Sequence, residues 1–342
     1  MNECIVVDNL TKVYGRHGSG VLAVDHIEFQ VHEGEVFGFL GPNGAGKTTT
    51  QRMLTTLLEP TEGRIIIFGH DLARDAYPVK RQMGLVPEES NVYTELTAWD
   101  NLMFTAQLYR VPRNERGRRA QQLLESFGLW EKRHVKVENF SKGMRRRLSI
   151  GMAIIHRPRL LFLDEPTPGL DTQSAHAIRD LIRQLNAEGT TIFLTTHQIE
   201  EANQLCNRVA IINRGRIAAI DTPERLKAAF RRVQSVEVAF AADEAQTSRL
   251  SETLRALAGV TNVVKMGDKW RLYTQDPSIL LLHLMDYTRA NGLTVISLST
   301  LGPSLEDVFL ELTGQQVGVI RHDMAEEGPR RRGMKNQMGG GR

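Results

Sequence analysis

The sequence predicts an α/β protein whose last third is a separate, smaller α+β unit, and three observations carry that prediction. The segment Gly41-Pro42-Asn43-Gly44-Ala45-Gly46-Lys47-Thr48-Thr49 fits the spacing G-x-x-x-x-G-K-[ST]; it lies between the apolar run Val36–Leu40 and a stretch with helical apolar spacing. Residues 160–163 are a continuous apolar run, as a parallel strand covered on both faces requires, residues 191–194 read as the next buried strand, and each ends in polar side chains. Beyond residue 229 the patterns follow as strand, helix, strand, strand, helix, strand, the order of a split βαβ, ferredoxin-like module.

At 342 residues the chain has room for two domains, one with a sizeable core. Charged residues make up 24% and hydrophobic ones 41%, which fits a soluble globular protein rather than a disordered or membrane-spanning one. A net charge of +3 is too mild to argue for nucleic acid, and none is expected as a partner. Cys4 and Cys206 lack the number and spacing of a disulfide framework or a zinc site; they fit small buried apolar residues in a reducing compartment. No run approaches the roughly 18 apolar residues that span a bilayer. Met1-Asn2-Glu3 opens no basic, apolar signal, so a soluble, cytosolic chain is expected.

Taken in order, residues 4–7 and 21–31 alternate as strands, joined by a loop holding Gly15, Gly18 and Gly20. Tyr14 before that loop has two readings: packing, or stacking on a nucleobase, worth about 1–3 kcal/mol for any base. In the glycine segment, Gly44 and Gly46 leave no Cβ in the way, so backbone N–H groups can turn inward around a phosphate. Lys47 can reach β- and γ-phosphates and the Thr48 hydroxyl can ligate Mg²⁺. Residues 48–58 follow as a helix through Met53, Leu54, Leu57 and Leu58, and its dipole adds positive potential at the loop.

Residues 59–63 are a turn, 64–68 a strand, 77–82 a short helix and 83–86 a strand that ends at Pro87-Glu88-Glu89. From 96 to 134 the spacing is helical, with Trp99, Leu102, Met103 and Ala106 on one face and Ala120, Leu123, Leu124 and Phe127 later. The basic stretch 110–119 between them reads as a solvated helix end and loop. Ser141 is placed to cap a helix over 145–156, and Gly143 leaves its first turn open; alone, this is a common helix start.

Asp164-Glu165 closes the first buried run, at the end of a strand where ligands gather in open α/β sheets. Asp164 can hold Mg²⁺ through its water shell, and Glu165 can orient or deprotonate a water. A loop to Asp171 and a helix over 174–187 lead to the second run, which ends at Thr195-Thr196-His197 and offers His197 as a γ-phosphate contact. Residues 209–213 and 216–220 form a hairpin, and Thr222-Pro223 starts a helix. In the last unit, strands 236–240, 260–266, 270–274 and 293–298 alternate with helices 245–258 and 277–290, and a closing helix over 306–312 stops at Gly314. Residues 315–342 fall to Gly, Arg, Met and Gln with a positive balance, read as a disordered basic tail. That charge admits a solubilising role or attraction to anionic lipid or RNA.

The motifs in this order resemble the ATP-binding subunit of an ATP-binding cassette (ABC) transporter: Gly41–Thr49, Phe140-Ser141-Lys142-Gly143-Met144, residues 160–165, Gly169-Leu170-Asp171 and His197, together covering about residues 3–225. Arg145-Arg146-Arg147-Leu148 and Pro303-Ser304-Leu305-Glu306-Asp307-Val308-Phe309 are similar to the ABC-2 type drug and antibiotic exporter branch, which includes daunorubicin-resistance ATPases. The resemblance implies a P-loop NTPase core over 1–228 with an antiparallel β-subdomain and a helical subdomain at about 90–158, then an accessory domain over 229–314 and the tail. It implies Tyr14 on adenine, residues 41–49 around the phosphates, Thr48 and Asp164 on Mg²⁺, Glu165 as base and His197 as γ-phosphate sensor. It also implies a head-to-tail homodimer, with Ser141, Gly143 and Asp171 of one chain closing on ATP held by the other. The partner would be a separate ABC-2 type permease, with this chain on the inner face of the membrane.

Two positions depart from that pattern. Glu88 stands where glutamine is usual; its carboxylate can ligate Mg²⁺ but cannot donate a hydrogen bond. Lys142 and Met144 replace a glycine and a glutamine, leaving the serine hydroxyl and the glycine backbone. The competing readings are a soluble ABC ATPase acting on ribosomes or nucleic acid, and a regulatory ATP-binding module without turnover.

Overall fold

The computed structural model describes residues 2–15, 20–89, 91–229, 234–241, 244–302 and 304–314, with the side chains of 244–249 left aside. Gly18 and the tail from 315 lie outside the described residues.

An antiparallel sheet in the order β2-β1-β4-β5 is made by β1 (Glu3–Tyr14), β2 (Val21–His32), β4 (Glu62–Ile67) and β5 (His70–Asp71). β1 runs well past Val7. Asn9 at φ 50° and several register shifts break its alternation, which is why only its first half reads as a strand in the sequence. The central six-stranded sheet has the order β10-β9-β3-β8-β7-β6. Within it β3 (Val36–Leu40), β6 (Met83–Val86), β7 (Leu160–Asp164), β8 (Thr191–Thr196) and β9 (Arg208–Asn213) run parallel; β10 (Arg216–Asp221) returns as the expected hairpin. Every residue of β3, β7 and β8 is buried. The two sheets meet through Phe29, Phe37, Phe39, Phe162 and Phe193, whose contacting rings lie 5.5–6.1 Å apart.

Helix α1 (Lys47–Leu54) follows β3 and stops short of the expected Leu58, since Thr56 takes φ 60° and ends the helical path. After α2 (Ala76–Lys80) come α3 (Ala98–Leu108), α4 (Arg113–Ser126) and α5 (Lys142–Ile154). The basic stretch expected as helix end and loop is largely helical: α4 begins at Arg113, and Arg119 bonds Glu115 at 2.5 Å and the Ile155 carbonyl at 3.0 Å. α6 (Thr172–Ala187) precedes β8, and α7 (Ile199–Leu205) follows it. The sequence reading has no helix at α7, because seven residues are too few to display a helical period.

After α8 (Pro223–Ala229) the third sheet has the order β12-β13-β11-β14, all pairs antiparallel: β11 (Gln234–Ala241), β12 (Val260–Met266), β13 (Lys269–Thr274) and β14 (Thr294–Leu301). Helices α9 (Glu244–Arg255) and α10 (Pro277–Ala290) supply Leu250, Leu254, Leu280 and Leu284 to a core with Val236, Val238, Trp270 and Leu272. The last helix, α11 (Leu305–Thr313), opens with a Ser304–Asp307 capping box and ends at Gly314. Its packing is elsewhere. Leu305, Val308 and Phe309 join the core of the first unit, beside Ala202, Leu205, Val209 and Ile211. Each such side chain contributes about 1.5–3 kcal/mol on burial. Asn213 Nδ2 also donates to the Thr313 carbonyl at 3.2 Å, fixing the far end of α11 to the β9–β10 turn.

Candidate functional site

Three adjacent strands of the central sheet, β3, β8 and β7, deliver their carboxyl ends to one place. From β3 the chain enters the glycine loop and then α1. Gly46 takes φ 105°, and a Cβ there would lie 2.6 Å from the Ala23 carbonyl oxygen, so the tight passage into α1 needs glycine. Gly215 N–H holds the loop from the other side by donating to Ala45 O at 3.0 Å. The N-terminus of α1 has no side-chain cap and no acidic residue in its first turn. Its N–H groups and dipole are therefore left for an anion.

In front of it is a cavity of about 230 Å³ lined by Asn43, Gly44, Gly46, Lys47, Thr48, Thr49, Glu88, Glu165 and His197, with Ala23 at its wall. Tyr14 stands beside Thr49, its Oη 3.4 Å from Oγ1, and is 40% exposed. Lys12 Nζ lies 5.7 Å from its ring centroid.

The charged centre of this cavity belongs to one chain. Lys47, 6% exposed, donates from Nζ to Gly41 O at 2.8 Å and Pro42 O at 3.2 Å and lies 3.5 Å from Glu165 Oε1. Glu165 Oε2 accepts from His197 Nδ1 at 2.9 Å and from the His197 amide at 3.3 Å. The backbone of Glu165 is at φ 46°, a left-handed conformation rarely held without outside support. Its amide donates to Thr195 O at 3.0 Å. Asp164 is buried under this group and accepts from Thr195 Oγ1; burial pushes its carboxyl above the ordinary range, with the neighbouring Glu165 adding to the shift. The donors present, the Thr48 hydroxyl and the Glu88 and Asp164 carboxylates, are hard oxygens of the kind Mg²⁺ takes.

Ser141, Gly143 and Asp171 are outside the cavity lining. Ser141 caps α5 by accepting from the Met144 amide at 3.2 Å. Asp171 caps α6 by accepting from the Ser174 amide at 2.8 Å and Ser174 Oγ at 2.7 Å; these bonds hold its carboxyl below the usual range. Within a single chain the two segments cap helices and meet no part of the glycine loop's cavity.

The sequence reading assigned no role to Arg146, a buried residue of α5 whose guanidinium reaches the main chain on both sides of the site. Nor did it single out Glu201, buried on α7, which accepts from Thr167 Oγ1 at 2.8 Å. One signal for Arg146 was available. Residues 148–154 are apolar or small on every side, the mark of a helix buried all round, so a charge just before them needs internal partners.

The family model for ABC transporters matches residues 24–168. A linearmycin resistance ATP-binding protein of Bacillus subtilis (strain 168) is 36% identical over 314 residues, 90% of this chain and 97% of that protein. A daunorubicin/doxorubicin resistance ATP-binding protein of Streptomyces peucetius is 39% identical over 315 residues, 91% of this chain and 93% of that one. Among solved structures, the ATP-binding subunit of an ABC transporter aligns with a TM-score of 0.60 at 32% identity, covering 66% of this chain and 93% of that one. A dimeric ATP-binding cassette in a post-hydrolysis state with ADP and Pi aligns with a TM-score of 0.59 at 27% identity, covering 64% of this chain and 98% of that one.

Proposed function

The chain belongs to the ABC transporter family as an ATP-binding subunit that powers export, and from that premise we propose that it drives a separate ABC-2 type permease as a homodimer. In this reading the transported molecule is of the drug, antibiotic or lipid-like class; the relatives are named for resistance to linearmycin and to daunorubicin/doxorubicin. No helix among the described residues is long and apolar enough to cross a membrane, so the proposal puts the spanning path in the permease and this chain on its inner face. Residues 1–228 act as the cassette and 229–314 as an accessory domain in this reading.

The observation that carries it is the set Lys47, Glu165 and His197 around one cavity at the α1 N-terminus. Lys47 leaves the carbonyls of Gly41 and Pro42 to take the β- and γ-phosphates, which gives Glu165 up to its second task. Freed of that ion pair, Glu165 accepts the proton of the attacking water while His197 holds its other oxygen and faces the γ-phosphate. Mg²⁺, held by Thr48, Asp164 and Glu88, would supply neutralising charge at the phosphates. Tyr14 stacks on adenine. Ser141 and Gly143 of a second copy close on the γ-phosphate, and Asp171 crosses between the copies.

The test is ATP turnover by wild type and Glu165→Gln, with and without candidate permeases. Removing a general base costs about 10²–10⁴ in kcat, and the variant should accumulate as an ATP-bound dimer on size exclusion. Equal turnover in the two proteins removes Glu165 from the chemistry. Indifference of activity and copurification to every ABC-2 permease tried removes the transporter assignment.

A further inference from the structure

Five main-chain carbonyls from two separate stretches of chain converge on one guanidinium. Arg146 is 4% exposed. Its Nε donates to Pro166 O at 3.1 Å, and Nη2 to Asp164 O at 2.7 Å and Glu165 O at 3.0 Å. Its Nη1 donates to Pro87 O and, at 3.3 Å, to Glu88 O. One turn earlier on the same helix, Lys142 Nζ donates to Pro168 O at 3.2 Å. Side chains four apart on a helix share a face, so α5 grips the segment from Asp164 to Pro168 at two points.

Among the described residues Arg146 has no carboxylate within ion-pair distance; the nearest opposite charges act only at longer range, and burial takes its pKa down to about 10. A cation stripped of water and given only carbonyl dipoles is a costly way to fill space, and an apolar side chain would fill it more cheaply. A planar fork with five donors does what an apolar residue cannot: it fixes two loops in one geometry. One of those loops carries Glu88, and the other carries Glu165 in its left-handed conformation. The Glu165 peptide is thus held from both sides, by Thr195 on its amide and by Arg146 on its carbonyl.

We propose that Arg146, assisted by Lys142, is the positioning residue of this ATPase: it holds the Glu165 and Glu88 loops by their backbones and ties them to the Ser141 end of α5. The inference rests on the proposed hydrolytic role of Glu165. Under it, engagement of Ser141 by a partner's nucleotide moves α5, and α5 carries the move through Arg146 to the base of its own chain.

The experiment compares full-length wild type, Arg146→Gln, Arg146→Lys and Lys142→Met for ATP affinity with a fluorescent ATP analogue, for kcat and KM, and for thermal midpoint. A misplacement of about 1 Å costs on the order of 10²-fold in rate. Arg146→Gln should therefore lose about that much kcat while binding nucleotide within about threefold of wild type. Arg146→Lys keeps the charge without the fork and should recover less than about a tenth of the rate. Lys142→Met should lower kcat about twofold to tenfold at an unchanged midpoint, and it stands as the test if Arg146→Gln does not fold. Wild-type kcat in folded Arg146 variants, or in Lys142→Met, overturns the inference. So does a parallel loss of affinity, kcat and midpoint, which marks a structural role only. Absence of ATP hydrolysis by the wild type refutes the proposed function beneath it, whereas turnover that Arg146→Gln leaves intact refutes the positioning role alone.

Discussion

Lys47 and Glu165 form an ion pair of which both members are more than nine-tenths buried. Removing Lys47 should therefore do more than remove a phosphate ligand. At 3.5 Å, opposite charges in an effective dielectric of about 20 attract by about 4–5 kcal/mol. Deleting one partner of a buried pair costs about 3–5 kcal/mol, because the other charge is left uncompensated. Glu165 keeps its bond to His197, so the lower end, about 3 kcal/mol, is expected for Lys47→Ala in free protein. In a Glu165→Gln background the stranded charge is gone, and the same Lys47→Ala step should cost less than about 1 kcal/mol. Urea unfolding of the four proteins of this double-mutant cycle, without nucleotide, measures the difference. An equal cost of Lys47→Ala in both backgrounds would show that the ammonium and the carboxylate are not paired, and the exchange proposed for ATP binding would have no basis. With nucleotide present, Lys47→Ala should abolish detectable ATP binding in either background.

With Mg²⁺ chelated by EDTA, so that Glu88 has no metal to hold, Glu88→Gln removes a negative charge from the cavity wall and should tighten binding of metal-free ATP by about 1–2 kcal/mol, near tenfold in Kd; an unchanged titration would place the carboxylate out of reach of phosphate. Burial raises the Glu201 carboxyl above its ordinary range, so the folded chain holds that proton more tightly than the unfolded one. Its contribution to stability is full below the ordinary carboxylate pKa and declines as pH rises through the raised one. Glu201→Gln should accordingly raise the thermal midpoint at pH 8 more than at pH 5, and an equal shift at both removes the linkage. Phe309→Ala should cost about 3–5 kcal/mol of stability, as loss of a core side chain, although residue 309 lies beyond the third sheet; a change near zero in urea unfolding contradicts its burial in the first core.

Much of this arrangement was legible because its signals are local. Val36–Leu40 and the runs at 160–163 and 191–194 read as buried strands because every side chain is apolar or small, and the glycine loop reads by its spacing. Helices α8 and α10 read from their Thr-Pro and Asp-Pro starts and α11 from Gly314 at its end, while its Ser304–Asp307 capping box came only with the structure. What the sequence hid depends on tertiary neighbours. Arg146 sits in a run of three arginines, and which of them turns inward depends on the loops that its helix packs against. α11 carries the same amphipathic pattern whether it closes its own unit or another, and only packing chooses. The Lys47–Glu165 pair joins residues more than a hundred positions apart, and no periodicity spans that distance.

The return of α11 to the first unit changes how the small third unit is attached. Chain enters it from α8 and leaves it through α11, and both helices rest on the same body, so the unit is a two-legged arch rather than a pendant. Its exit leg ends at Thr313, clasped by Asn213; two residues on, Gly215 clasps Ala45 of the phosphate loop. Two hydrogen bonds and one tight turn thus join the last residue of α11 to the glycine loop.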